Sequence, residues 1–324
     1  MNYFIVGGAG FIGSHLLRTL LLEEKNIRVV VYDNFSSGQM WHIEEFGHKS
    51  NVQIINDDVK NTASLQKAML GADVVYHFAS NPDISKAVTH PDIDFWEGTY
   101  LTNNVLEAMR VNNVKKLLYA SGSGVYGDTG LREVKEDATP LLPVSTYGAS
   151  KLSCEALIGA YCHMFDMNAH VFRFSNVVGP HQTHGVGYDF VRYLMTNPHE
   201  LPILGDGTQS KSYIYISDVI NAMRCLEKEP AFGLSCHNVA THDYLTVTEI
   251  ADIVVEVLGL RNVIYHYSGG GRGWKGDVPV IRLNSDKLRA LGWSHQYTSR
   301  QAIYGSVESI VEDAKNNKFR WRRA

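Results

Sequence analysis

The sequence predicts an α/β protein, a doubly wound parallel sheet with a smaller C-terminal lobe. Three observations predict it. In IVGGAGFIG at 5–13 an apolar run meets Gly7, Gly10 and Gly13; apolar runs then alternate with helix-length segments as far as residue 174; beyond Asn176 the pattern loosens into glycine- and proline-bearing stretches.

The first strand, 3–6, empties into the glycine turn. A backbone without Cβ atoms turns tightly there, admits a pyrophosphate and packs the following amphipathic helix, 14–22, close to the strand. The free N–H groups and dipole at that helix start favour a diphosphate. The second strand, 28–32, ends in Asp33, at the distance where a carboxylate grips an adenosine ribose. Strand, turn, helix and acid in this order raise the reading above a glycine turn with no ligand. Asp33 points to NAD rather than NADP, because a carboxylate repels a 2′-phosphate. Runs at 52–55, 74–78, 116–120 and 170–174 continue the sheet, with no internal repeat or low-complexity segment between them. After Asn176 come Gly179, Pro180, Gly185, Gly187, Pro198, Pro202, Gly205 and Gly207, then helices near 217–226 and 246–258. The expected division is a dinucleotide-binding domain at 1–175 and, at 176–324, a lobe folded over the carboxyl ends of the strands. Parts of that lobe near 214–240 are expected to return to the main sheet.

With 324 residues and 44% hydrophobic content, the chain can build a large core. A formal net charge of −4 gives no case for nucleic acid, and the basic run at 318–323 reads as a solvated tail. The chain enters a strand at once, with no room for a signal peptide, and no apolar run reaches membrane-spanning length, so a cytoplasmic location is expected. Cys154, Cys162, Cys225 and Cys236 lack a C-x-x-C spacing and read as reduced thiols. His181 and His184 lie three apart without an evident third ligand, so no metal site is expected.

Tyr147 and Lys151 lie four apart in YGASK where a helix begins, which puts both on one face. An ammonium beside a phenol lowers the phenol's pKa, so the pair is expected to work as a general acid/base near neutral pH. The strand before it empties into Ser121, Gly122, Ser123 and Gly124, just ahead of VYG. A serine there would hydrogen-bond a substrate hydroxyl whose proton goes to tyrosine and whose hydride goes to NAD.

The motifs together resemble the extended short-chain dehydrogenase/reductase family of Rossmann fold, specifically its nucleotide-sugar epimerases and dehydratases. They are GGAGFIG at 7–13, DNFSSG at 33–38, Asp58-Val59, HFAS at 77–80, the serine turn with VYG, YGASK, RFSNVVGP at 173–180, LGDGT at 204–208 and GWKGDVP at 273–279. The resemblance implies that NAD is held by Gly7, Gly10, Phe11, Ile12, Gly13, Asp33, Asn34, Ser36, Ser37, Gly38, Asp58, Val59, Phe78, Ala79 and Ser80, with Tyr147 and Lys151 on its nicotinamide ribose. It implies Tyr147, Lys151 and Ser121 or Ser123 as catalytic groups, and Asn176, Lys211 and Arg272 on a sugar diphosphate, UDP-linked by resemblance.

The chain departs from the family pattern at four places. The position three before the Val of VYG, commonly Ser or Thr, is Gly122, so the hydroxyl comes from Ser121 or Ser123, with Ser121 slightly favoured for its place at the strand end. Lys211 stands where the family has arginine, keeping the charge and losing the bidentate fork. An NAD-contacting asparagine is replaced near Glu97 and Gly98. Trp274 occupies an arginine position, leaving Arg272 to carry over.

The family's 4,6-dehydratases resemble one another in an Asp-Glu pair after the catalytic Thr, and its decarboxylases in a Glu where Gly124 stands. Ser123-Gly124 carries neither. The implied reaction is C4 epimerisation through a transient 4-keto sugar. Two alternatives stay open: a dehydratase, decarboxylase or C4 oxidoreductase drawing its acid from Glu133, Glu136 or Asp189, and a non-catalytic NAD-binding scaffold. Helices near 101–110 and 151–163 carry apolar residues beyond one face, which fits either packing on the parent sheet or the family's four-helix homodimer.

Overall fold

The computed structural model describes residues 1–230 and 232–319. From Arg320 on, the basic run lies outside the described residues. Within that run, Lys318 is exposed, with its ammonium 5.3 Å from the centre of the Trp41 ring.

The chain begins with β1 (Asn2–Val6), α1 (Phe11–Glu23), β2 (Arg28–Asp33), β3 (Val52–Asn56), α2 (Thr62–Ala68), β4 (Val74–His77), α3 (Tyr100–Val111) and β5 (Lys116–Gly122). Then follow a two-residue β6 (Glu133–Val134), the long α4 (Thr146–Phe165), β7 (Asn168–Phe174), β8 (Asn176–Val178), α5 (Val186–Thr196), β9 (Glu200–Ile203), β10 (Ser210–Lys211), β11 (Tyr213–Tyr215) and α6 (Ile216–Lys228). The chain closes with β12 (Leu234–Val239), β13 (Leu245–Thr246), α7 (Val247–Val257), β14 (Ile264–Tyr267), β15 (Arg282–Leu283), α8 (Asp286–Arg289) and α9 (Ser299–Lys315).

Seven strands form the main sheet in the order β12-β7-β5-β4-β1-β2-β3, every pair parallel. Both faces are covered, which is why strands such as β1, β2 and β4 read as nearly continuous apolar runs. Side chains alternate across the sheet: Tyr3 and Ile5 of β1 pack with Leu16, Leu17 and Leu20 of α1 and Met223 of α6. Phe4 and Val6 face Leu65 of α2, Val105 and Met109 of α3, and Cys154 and Ile158 of α4. The strand order reverses between β1 and β4, so the crevice at their carboxyl ends is the switch point where such sheets bind ligands. β12, late in the chain, pairs with β7 and closes one edge. A separate core gathers Phe190 of α5, Leu201 of β9, Ile250 and Ile253 of α7, and Ile303 and Ile310 of α9.

β5 runs to Gly122, past the expected end at residue 120, because Ser121 pairs with Arg173 and Gly122 with Phe174 of β7. Ser121 is therefore a strand residue, and the turn begins at Ser123.

Candidate active site

The glycine turn closes on backbone. Gly7 has φ +78°, and a Cβ there would lie 2.7 Å from the amide nitrogen of Ala79 in the loop after β4. A Cβ on Gly13 would lie 2.5 Å from the Gly7 carbonyl oxygen. Gly10 caps α1 without a side-chain acceptor, which leaves the first-turn N–H groups directed at the crevice. Asp33 is buried at the end of β2, where its carboxylate accepts from the amides of Ala9 (2.9 Å) and Phe35 (2.8 Å). Burial pushes that carboxyl above its usual range. Gly38 approaches it closely; a Cβ there would lie 2.8 Å from Oδ1. Asn34 Nδ2 donates to the Asp58 carboxylate at 2.8 Å, and Asn34 Oδ1 accepts from Ser36 N at 3.0 Å. The Ser37 carbonyl accepts from Gln39, Val59 is buried below Asp58, and Phe78, Ala79 and Ser80 line the edge beyond β4. An uncapped helix start, a buried acid and glycines that a side chain would obstruct fit a dinucleotide with a diphosphate and a ribose diol.

Under this turn lies a cluster the sequence reading missed. His42 Nδ1 is 2.8 Å from the Ala9 carbonyl, and its ring stacks on His181 at 4.8 Å. His15 lies 5.0 Å from His181, and Trp41 completes the group. Burial pushes His42 down to about 4 and His181 to about 3. The three histidines come from segments far apart in sequence, so no local spacing announces the cluster.

The first two turns of α4 carry Tyr147 and Lys151. Ser145 caps the helix, accepting from the Gly148 amide at 3.1 Å. A Cβ on Gly148 would lie 2.6 Å from the Gly124 carbonyl oxygen, so the helix backbone, one residue after Tyr147, rests on the serine turn one residue after Ser123. Lys151 Nζ donates to the Ala120 carbonyl at 2.8 Å and lies 5.6 Å from the centre of the Tyr147 ring. Burial holds the ammonium down at about 8, against the opposing pull of Cys154, Glu155 and Asp94. Tyr147 is half-buried, and its phenol is pushed above its ordinary range by burial, then by the charge of Asp94. That corrects the expectation of a lowered phenol: desolvation outweighs an ammonium that is itself desolvated and turned to a carbonyl.

Asp94 is a second residue the sequence reading passed over. It is buried, accepts from Asn81 at 2.9 Å and from Thr146 at 2.7 Å, and its carbonyl accepts from Ser150 at 2.6 Å. The π-turn Phe95–Thr99 follows, with Gly98 closing on Ser150. It thus fixes the start of α4 from outside.

The two candidate serines part company. Ser121 is buried and donates to Glu155 at 2.6 Å, so its hydroxyl is turned into the core and the preference for it is corrected. Ser123 is half-buried, and among the described residues its hydroxyl has no hydrogen-bond partner. Farther out, Asn176 Nδ2 donates to the Ser212 carbonyl at 3.3 Å and Lys211 Nζ to Asp277 at 2.7 Å. Arg272 reaches the Asp277 carbonyl and the Asp128 carboxylate. The loop that carries Arg272 touches the start of α4, since a Cβ on Gly276 would lie 3.2 Å from Ser145 Cβ.

Residues 3–240 match the NAD dependent epimerase/dehydratase family. A crystal structure of a UDP-galactose 4-epimerase superposes with TM-score 0.85 at 35% identity, over 97% of this chain and 99% of that one. A UDP-glucuronic acid 4-epimerase from Bacillus cereus, in complex with UDP-glucuronic acid and NAD, superposes with TM-score 0.88 at 26% identity, over 96% and 99%. A human dTDP-D-glucose 4,6-dehydratase is 26% identical over 97% of this chain and 91% of its own length.

Proposed function

Because the chain belongs to the NAD dependent epimerase/dehydratase family, we propose that it is an NAD-dependent 4-epimerase of UDP-linked hexoses or hexuronates. NAD would be held by the turn at Gly7, Gly10, Phe11, Ile12 and Gly13, by Asp33 and its loop, and by the segments at Asp58 and Phe78. When bound, it supplies a hydride acceptor at C4 that returns the hydride to either face.

The chain's own residues handle the proton. Tyr147 takes it from the C4 hydroxyl and gives it back, Ser123 hydrogen-bonds the C4 oxygen, and Lys151 offsets the phenolate charge. Asn176, Lys211 and Arg272 hold the diphosphate while the keto sugar turns.

The observation that carries epimerisation is that, among the described residues, the candidate acids are engaged: Asp94, whose charge acts on Tyr147, accepts from Asn81 and Thr146. Ser123-Gly124 bears no carboxylate. Glu136 is committed to the Asn238 amide (2.8 Å), Glu133 accepts from Asn284 and Asp189 pairs with Arg192. Elimination of water would need a further acid and base in the cleft, so the ketone has hydride return as its open route.

The exposed face of α4 carries Ala149, Ser153, Ala156, Ala160 and Met164 at helical spacing, beside exposed Phe95 and Trp96. A homodimer through this face covers them. Among the described residues no helix is long and apolar enough to cross a membrane, and a cytoplasmic location fits the reading.

Incubation with UDP-glucose, UDP-N-acetylglucosamine and UDP-glucuronate, without added reductant, tests the reaction. Chromatography should show the C4 epimer of at least one of them. No epimer from any would remove the reading.

A further inference from the structure

One turn beyond Lys151, α4 places Glu155 4% exposed against Arg173 of β7. The pair is bidentate, with Arg173 Nη2 to Oε2 at 2.7 Å and Nε to Oε1 at 3.1 Å. Glu155 Oε1 also accepts from Ser121 at 2.6 Å. Lys151 holds the carbonyl of the preceding residue, Ala120, so two successive residues of β5 are gripped from successive turns of one helix. Arg173 continues to the Tyr126 hydroxyl (2.9 Å), at the far end of the turn that Ser123 opens, and Tyr126 donates to Asn238 of β12 at 2.7 Å. The strand end leading into the serine turn and the far end of that turn are thereby tied to one buried ion pair.

We propose that Glu155 and Arg173 are positioning residues for proton transfer: they fix Ser123 relative to Tyr147 through Ser121 and Tyr126. The proposal rests on the epimerase reading only for its kinetic arm. Around Lys151 the facing groups are His77 of β4, Tyr119 of β5, Asp94 before the π-turn, and Tyr147, Cys154 and Glu155 of its own helix. Neutralising Glu155, one turn along the same helix, removes a negative charge that favours the Lys151 ammonium, so Lys151 should lose its proton more readily.

The test uses the whole protein with lysine labelled at ¹³Cε, the Lys151 resonance being assigned by its loss in Lys151→Arg. In Glu155→Gln the titration midpoint of Lys151 should fall by about one pH unit or more, and the alkaline fall of kcat should move the same way. Glu155→Asp keeps the charge but is one methylene too short for Ser121; its midpoint should match the wild type while kcat drops severalfold at unchanged KM. An unmoved midpoint in Glu155→Gln, or wild-type kcat in Glu155→Asp, overturns the proposal. If Glu155→Gln fails to fold, Glu155→Asp decides. If the wild type converts no UDP-sugar, the function has failed and the titration alone decides the positioning role.

Discussion

Tyr147→Phe removes one hydroxyl and little volume. General acid/base groups contribute roughly a hundredfold to ten-thousandfold, so kcat should fall by that much while circular dichroism stays unchanged. Retention of wild-type turnover would remove tyrosine from the proton path. Ser123→Ala should cost about 2–4 kcal/mol in transition-state stabilisation, a roughly thirtyfold to thousandfold loss. Ser121→Ala, whose hydroxyl meets only Glu155, should cost less, and initial rates in both directions separate the two. The Tyr-x-x-x-Lys spacing and the serine turn were legible in the sequence because helical geometry alone brings four-apart residues together. The choice between serines was not, because it turns on Glu155, 34 positions away. Asp94 escaped for the same reason: its partners Asn81 and Thr146 are joined only by the fold.

At the scale of elements, the glycine turn makes a sharp prediction. The Cβ in Gly13→Ala meets backbone atoms, which cannot swing aside as a side chain would. The variant should lose about 1–3 kcal/mol of stability and its NAD binding, by denaturation and cofactor titration. The buried imidazoles predict a pH dependence. Burial pushes His42 down to about 4, and burial with the Lys151 charge pushes His77 to about 3. The unfolded chain binds their protons below about 6.5 and the folded one does not, so stability falls as pH drops from 6.5 toward 4. At pH 5 each histidine costs about 2 kcal/mol as an order of magnitude. Thermal melts at pH 7 and 5 should show the loss, and His42→Gln should lessen it. The long strands of the sheet were legible from their apolar runs. The strands of two or three residues in the lobe, such as β10 and β13, were not, because so short a segment has no period and is defined by its partner.

For the whole molecule, burial of the exposed α4 face in a homodimer predicts sedimentation at twice the chain mass, and Ala156→Glu should shift it to monomer with secondary structure intact. An unchanged dimer would place the interface elsewhere. The most direct test of the central claim is mass spectrometry of a turnover mixture made from a UDP-sugar deuterated at C4. If Tyr147, Ser123 and Lys151 open and close a C4 ketone while the candidate acids stay engaged, the product is isobaric with the substrate and keeps its deuterium at C4. A product lighter by water or carbon dioxide, or loss of the label to solvent, would contradict it.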